Sequence, residues 1–321
     1  MTKVTIIGAG AVGTAIAYAA QIRGVCQTLA LYDLNGAKAR AEVLDLNHGL
    51  QFTPVARIIG GDDPAVIADS DVIVITAGAK QRPGQTRLDL AAANVAMCRA
   101  LVPQLTALAP EALLLVVTNP VDITTLAALK FSGWPAQRVF GSGTVLDSSR
   151  LRYLIAQDAG VAVQNVHAYI AGEHGDSEVP LWSTASIGGV PVAQALGGPL
   201  DPGEVAAREK AVHEAVADAA YEIIAGKGAT SWAIGLAVSR ILEAVLKNER
   251  RVLPVSSLLG PAEFTMLGAP ADHGPVCLSL PSVVGREGVV RILPTPLSEA
   301  ERGAVRASAA ALRGVADDLG L

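Results

Sequence analysis

The sequence predicts an α/β protein: a Rossmann-type doubly wound parallel sheet followed by an α+β domain. Three observations predict it. Short apolar runs alternate with helical patterns through the first half. A glycine-rich turn joins the first run to the first helix, and the second half changes to long helices followed by short strands. The 321 residues exceed the usual size of one domain. A boundary at Gly141-Ser142-Gly143 divides them into a first domain, 1–142, and a second, 143–321.

Taken in order, Val4–Ile7 reads as a buried strand and Ala11–Arg23 as the helix after it. Thr28–Tyr32, Asp71–Thr76 and Leu113–Thr118 read as further buried strands, with helices over Ala37–Asp45 and Leu88–Leu108. Val166–Ile170 is one more strand. Beyond a Gly/Pro-rich stretch, Asp201-Pro202-Gly203-Glu204 signals a helix start, with Asp as N-cap, Pro in the first turn and Glu reaching back. Helices are expected over Pro202–Ala225 and Thr230–Lys247, then strands over Arg251–Val255, Val276–Leu280 and Val289–Leu293. Ser298-x-x-Glu301 caps a final amphipathic helix.

Composition narrows the function. Half of the residues are hydrophobic and 17% are charged, enough apolar material for a large core and too much for disorder. No apolar run reaches the roughly 18–20 residues that span a bilayer, so no membrane partner is expected. The N-terminus runs straight into a strand, which predicts no signal peptide. Cys26, Cys98 and Cys277 have neither metal-ligand nor redox spacing; they predict buried thiols in a reducing cytoplasm, and no metal site. A net charge of −5 without a basic block argues against nucleic acid.

Gly8-x-Gly10-x-x-Gly13 follows a strand and opens a helix, where glycine permits a tight turn, close approach of a pyrophosphate and helix–strand packing. Alone the pattern is weak. Asp33, twenty residues after Gly13, strengthens it: a carboxylate there accepts both ribose hydroxyls of NAD and repels the 2′-phosphate of NADP. The loop from Ala77 to Arg87, with Gly78, Pro83 and Gly84, carries Arg82 and Arg87; it reads as a solvated basic loop or as a lid that brings an arginine onto an anion. Asn119 stands before a proline at a strand's C-terminal end, where open α/β sheets bind ligands. Asp147 and Arg150, three apart on a helix, make an ordinary ion pair unless something else shares them. His174 lies between two glycines among acidic neighbours, with an unperturbed pKa near 6.5 that suits proton transfer. A lone histidine there is more often structural; the motifs upstream reverse that reading. His48, His213 and His273 have no motif around them and read as surface or packing residues.

Together, Ile7–Gly13, the Gln81–Arg87 loop, Thr118-Asn119-Pro120-Val121-Asp122, Gly141–Arg150, Gly172–Glu178 and the late Gly228-Ala229-Thr230 resemble the L-lactate/malate dehydrogenase family, nearest to its bacterial L-lactate members. The resemblance covers nearly the whole chain. It implies a dinucleotide-binding first domain, a substrate domain after it, and NAD-dependent interconversion of pyruvate and L-lactate. It makes His174 the acid/base, Asp147 its orienting carboxylate, Arg150 the anchor of the substrate carboxylate and Arg87 the charge that polarises the carbonyl. Gln81, Asn119 and Thr230 become substrate contacts. Gly8, Gly10, Val12, Gly13, Asp33, Lys38, Gly78, Ala79, Asn119 and Ser142 become cofactor contacts, with Ile234 near the nicotinamide. Arg152 and His167 match the pair that binds fructose 1,6-bisphosphate in allosteric bacterial members, which implies a homotetramer. The chain lacks the extended N-terminal arm of the vertebrate enzymes, so an assembly that depends on that arm is not expected. Malate dehydrogenase and a broader 2-hydroxy acid dehydrogenase remain alternatives, as does a non-catalytic nucleotide-binding protein; the intact set His174, Asp147, Arg150 and Arg87 argues against the last.

Overall fold

A computed structural model describes residues 2–79, 86–196, 201–270 and 274–321. In chain order the first half holds β1 (Lys3–Ile7), α1 (Ala11–Arg23), β2 (Thr28–Tyr32), α2 (Gly36–His48), β3 (Arg57–Gly61) and β4 (Val72–Ile75). It continues with α3 (Arg87–Leu108), β5 (Leu113–Val116), α4 (Val121–Ser132) and β6 (Val139–Gly141). The second half opens with α5 (Val145–Ala159), β7 (Val166–His167), β8 (Ile170–Gly172), β9 (Glu178–Pro180), β10 (Ser186–Ile187), β11 (Val190–Pro191) and α6 (Val192–Ala195). The long helices α7 (Pro202–Lys227) and α8 (Trp232–Leu246) follow, then β12 (Arg251–Leu253), β13 (Ser256–Leu258) and α9 (Pro261–Met266). Last come β14 (Cys277–Ser279), β15 (Ser282–Gly285), β16 (Gly288–Ile292) and α10 (Glu299–Asp318).

The first six strands lie in the order β3-β2-β1-β4-β5-β6, all parallel, which is the doubly wound topology. The strand order reverses between β1 and β4, and the crevice above that point is where such sheets take a nucleotide. Alternation divides each strand between two cores. Ile73 and Ile75 join Leu114 and Val116 on the face covered by α3 and α4. Val72 and Val74 join Leu29, Leu31 and Leu115 on the opposite face. Both faces are buried, so these strands read as unbroken apolar runs rather than alternating ones.

The sheet does not stop at β6. Gly141 pairs antiparallel with Ser256, and the order continues β13-β14-β8-β9. α8, late in the chain, packs Val238, Ile241, Leu242 and Val245 into the core under the first strands. It lies so close to α1 that a Cβ on Gly235 would stand 2.7 Å from the Ala15 carbonyl oxygen. Arg23 of α1 grips Glu243 of α8 through two hydrogen bonds, at 3.2 and 2.6 Å.

Three local expectations need correction. The single strand over Val166–Ile170 is two: β7 pairs with β10 in a small sheet, while β8 joins the large one. Between them the Ala168 carbonyl accepts from Arg152 Nε and the Tyr169 carbonyl from Leu181, so neither extends a ladder of its own. The strand over Arg251–Val255 breaks at Pro254, which has no N–H to donate, and resumes as β13. Asp201 does stand at the N-cap of α7, but its side chain makes no cap bond; its backbone carbonyl accepts from Glu204 and Val205 instead. Finally, β3, β6 and α4 are elements that periodicity alone did not single out. Elsewhere the expected signals hold: Ser298 and Glu301 close a full capping box on α10.

Candidate active site

The nucleotide end of the sheet is built by glycine. Gly8, at the end of β1, has φ +109°, and a Cβ on Gly13 would lie 1.9 Å from the Gly8 carbonyl oxygen. Gly10 is the N-cap of α1, with no side-chain cap and no acidic residue in the first turn. A Cβ on Gly10 would meet nothing within 4 Å. The α1 N-terminus thus has no side-chain cap and no acidic neighbour in its first turn, and a helix end of this kind is suited to a phosphate. Asp33 follows β2 and accepts from Ala9 N–H at 2.7 Å and Asn35 N–H at 2.8 Å, leaving a lone pair on each oxygen for a ribose hydroxyl. Lys38 is exposed in the first turn of α2. These features fit NAD.

Gly78 and Ala79 follow β4, Asn119 follows β5, and Ser142 follows β6, all at the C-terminal strand ends. Buried Asn94 of α3 ties two of these loops together: its Oδ1 accepts from Ala79 N–H at 2.7 Å and its Nδ2 donates to the Asn119 carbonyl at 2.7 Å. The Asn119–Pro120 peptide is cis. Gln81 and Arg82 lie outside the described residues, as does His273. Arg87 begins α3, whose N-cap Thr86 forms a capping box with Asp89.

Asp147 is the hub of the second half. It is 1% exposed. Its Oδ2 stands 2.5 Å from His174 Nδ1, and its Oδ1 accepts from the Arg150 guanidinium at 2.8 Å. The ordinary intrahelical ion pair is therefore present, but it is shared. With Nδ1 held by the carboxylate, Nε2 is the nitrogen left to face a ligand. Burial alone would lower the His174 pKa; the Asp147 charge and hydrogen bond override it and lift it to about 9. Burial likewise opposes ionisation of Asp147, and the His174 charge and the Arg150 guanidinium hold its carboxyl below the usual carboxylate range.

Four residues around this centre were not legible as site residues. Asp122, in the first turn of α4, accepts from the His174 backbone N–H at 2.8 Å and from Ser256 Oγ at 2.6 Å, so the His174 loop is pinned to the first half of the chain. Burial pushes the Asp122 pKa up to about 6. Glu178 is buried at the start of β9. Ser308 of α10 accepts from Glu173 N–H at 2.8 Å and meets Ser177 Oγ at 2.9 Å, fixing the other flank of the loop. The available signal for Asp122 was its place in the Thr118-Asn119-Pro120-Val121-Asp122 motif, in the first turn of α4; Ser256 and Ser308 carried none.

A cavity of about 480 Å³ joins the two halves. Val12, Ala79 and Asn119 line it from the nucleotide side, and Asp147, Arg150, His174 and Thr230 from the other. Thr230 follows Gly228, which ends α7 in the left-handed region with φ +84°. Ile234 is not among the described lining residues; it packs, like Val12, against the core under β1. Arg152 and His167 lie apart from the cavity lining. The Arg152 guanidinium donates to the Ala168 carbonyl at 2.8 Å and stacks over the Tyr169 ring at 4.7 Å, next to exposed His167. His48 is exposed, and half-buried His213 bonds the Glu178 backbone. Among the described residues no helix is long and apolar enough to cross a membrane, and no cluster of side chains has the makings of a metal site. All three cysteines are buried and free.

The chain is similar to known proteins over its whole length. Residues 2–141 match the family model described as lactate/malate dehydrogenase, NAD binding domain. Residues 144–319 match lactate/malate dehydrogenase, alpha/beta C-terminal domain. The chain is 51% identical to an L-lactate dehydrogenase of Bifidobacterium animalis subsp. lactis, over 99% of this chain and 97% of the relative. It is 47% identical to L-lactate dehydrogenase B of Hordeum vulgare, over 97% and 89%. The crystal structure of a lactate dehydrogenase from a Medee basin deep-sea metagenome library superposes with a TM-score of 0.91 at 38% identity, over 100% of this chain and 99% of that one. A chain whose two halves match both family domains, and whose C-terminal strand ends gather the nucleotide loop and the His174–Asp147–Arg150 cluster around one cavity, belongs to the lactate/malate dehydrogenase family.

Proposed function

We propose that this chain is an NAD-dependent L-lactate dehydrogenase that reduces pyruvate and, in reverse, oxidises L-lactate. The observation that carries the reading is the cavity shared by Val12, Ala79 and Asn119 with the Asp147-bridged pair of His174 and Arg150. Residues 1–142 form the cofactor domain and 143–321 the substrate domain, with Gln81, Arg87 and Asn119 of the first as further substrate contacts. NADH, when bound, supplies the hydride. Arg150 keeps its remaining N–H groups for the substrate carboxylate, a planar fork that lysine could not imitate. His174, protonated at neutral pH, gives the Nε2 proton to the keto oxygen and leaves as neutral imidazole; lactate oxidation returns that proton. Asp147 orients the ring and favours its charged form. Arg87 polarises the carbonyl, and Asn119 and Thr230 make polar contacts to the substrate. Asp33 favours NAD over NADP by charge, and Lys38 is the nearby cation that could soften that preference.

The choice between lactate and malate falls on Gln81. Oxaloacetate brings a second carboxylate, and burying it without a cation is costly, whereas the methyl of pyruvate needs none. NADH oxidation with pyruvate and with oxaloacetate, assayed side by side, tests this: pyruvate is preferred, and Gln81→Arg moves the preference toward oxaloacetate. Equal or better efficiency of the wild type with oxaloacetate overturns the lactate reading.

We also propose a cytoplasmic homotetramer in which Arg152 and His167 bind fructose 1,6-bisphosphate between subunits. The support is their common position around Ala168 and the two-residue spacing of Arg152 from Arg150, by which one helix carries both anion sites. Linkage then makes effector and pyruvate help each other bind. Titrating fructose 1,6-bisphosphate at subsaturating pyruvate raises the rate in the wild type and leaves Arg152→Gln/His167→Gln flat; a flat wild type removes the site.

A further inference from the structure

One carboxyl group in the wall of the cavity has no part in these steps. Glu178 opens β9, is 6% exposed, and lines the cavity beside Asp147, Arg150 and His174. Its Oε1 is buried with no hydrogen-bond partner among the described residues. A carboxylate kept from water without a partner is unfavourable, and the usual outcome is the neutral acid.

Among the described residues the charged groups around it are few. From α5 come Asp147 and Arg150; from the preceding turn come His174 and Asp176. From α7, the His213 ring bonds the Glu178 backbone. On β8 its pairing partner is Gly172. α10 turns its charged groups elsewhere: Glu301 holds Ser183, Arg306 the Gly268 carbonyl, and Arg313 pairs with Asp317. Among the described residues the ordinary cation close to Glu178 is Arg150, which is already bonded to Asp147.

We propose that Glu178 is a positioning residue for His174: it carries a proton at neutral pH and, on releasing it to solvent, adds a second negative charge that keeps the imidazole protonated into the alkaline range. The proposal rests on His174 being the proton donor of the reaction. Burial, with the Asp147 charge adding to it, raises the Glu178 pKa, and the Glu178 charge is in turn among those that raise His174. The pair shares its protons, so the alkaline loss of the donor is spread over a wider range than a single histidine gives.

Replacing the carboxyl by an amide tests this. NMR titration of the His174 ring in histidine-labelled full-length protein, assigned by its loss in His174→Ala, reads the coupling without turnover. In Glu178→Gln the His174 midpoint falls by about one pH unit, the usual effect of a close charge, and Glu178→Asp restores most of it. An unchanged midpoint in Glu178→Gln overturns the proposal. In steady state, the acid limb of kcat/KM for lactate, which reports neutral imidazole, moves to lower pH in Glu178→Gln; a uniform fall at every pH marks a merely structural residue and overturns it. Should Glu178→Gln not fold, infrared difference spectra of glutamate-labelled wild type decide: a buried protonated carboxyl band lost between neutral and alkaline pH is expected, and its absence at neutral pH refutes the idea. A protein inert toward pyruvate would sink the functional reading, and the two spectroscopic titrations would still decide the coupling.

Discussion

At the scale of single residues, the site is a contest between burial and charge around Asp147. Burial would make both His174 and Asp147 neutral, yet at 2.5 Å the ion pair outweighs it and each favours the other's charged form. That balance leaves His174 a donor at neutral pH, the form pyruvate reduction requires. His174→Ala therefore loses at least the roughly 10²–10⁴-fold that acid–base catalysis supplies, while NADH affinity measured by fluorescence titration stays near wild type. The Gly10 loop and Asp33 lie on the other half of the chain. Turnover close to wild type in that variant would remove His174 from the mechanism.

At the scale of elements, the His174 loop is held from two sides. α10 presents Ser308 to one flank, and the first turn of α4 presents Asp122 to the backbone N–H of His174. Asp122 accepts from two donors with two oxygens; an asparagine has one carbonyl oxygen and must turn its NH₂ toward one of them. Asp122→Asn should leave a buried donor unsatisfied, at a cost of about 1–3 kcal/mol. Part of that cost appears as a fall in kcat of about tenfold, since 1.36 kcal/mol corresponds to a factor of ten in rate. Stopped-flow reduction of pyruvate alongside NADH binding checks this: a variant that binds NADH normally and reduces pyruvate at the wild-type rate would show that the anchor is dispensable. The helix caps, by contrast, were local enough to be legible. The Ser298–Glu301 box formed as the pattern implies, because both partners lie within one turn. Asp201 formed no side-chain cap; its backbone carbonyl accepts from Glu204 and Val205.

At the scale of the whole molecule, the raised pKa values couple stability to pH. His174 rises from 6.5 to about 9 and Glu178 from 4.5 to about 8, so between these limits the folded chain binds more protons than the unfolded one. The His174 contribution is complete below pH 6.5 and is lost as pH rises through about 9; that of Glu178 is lost as pH rises through about 8. The melting temperature by scanning calorimetry should therefore fall from neutral to alkaline pH, and fall less steeply in His174→Ala. Equal slopes in the two proteins would show that His174 does not carry the linkage. One sheet runs through both halves, for β6 and β13 are hydrogen-bonded across the end of the parallel region, and α8 is clamped to α1 by Arg23 and Glu243.

The doubly wound sheet, the glycine turn, Asp33, the C-terminal strand ends and the order of the motifs were all determined by the sequence itself. Each is a local signal: a period of two or 3.6, a cap within one turn, or a glycine that no side chain could replace. The split at Ala168 and Tyr169, the return of α8 onto the first sheet, and the partners Asp122, Ser256 and Glu178 were decided only by the tertiary structure. Asp122 and Ser256 are 134 residues apart, and Arg23 and Glu243 are 220 apart. Such pairs leave no periodic trace in the chain, because their closeness comes from packed elements and not from neighbouring residues. The same holds for protonation: the residue types state that a carboxylate and an imidazole are present, but which of them keeps its proton depends on how deeply the fold buries each and what charge it sets beside it.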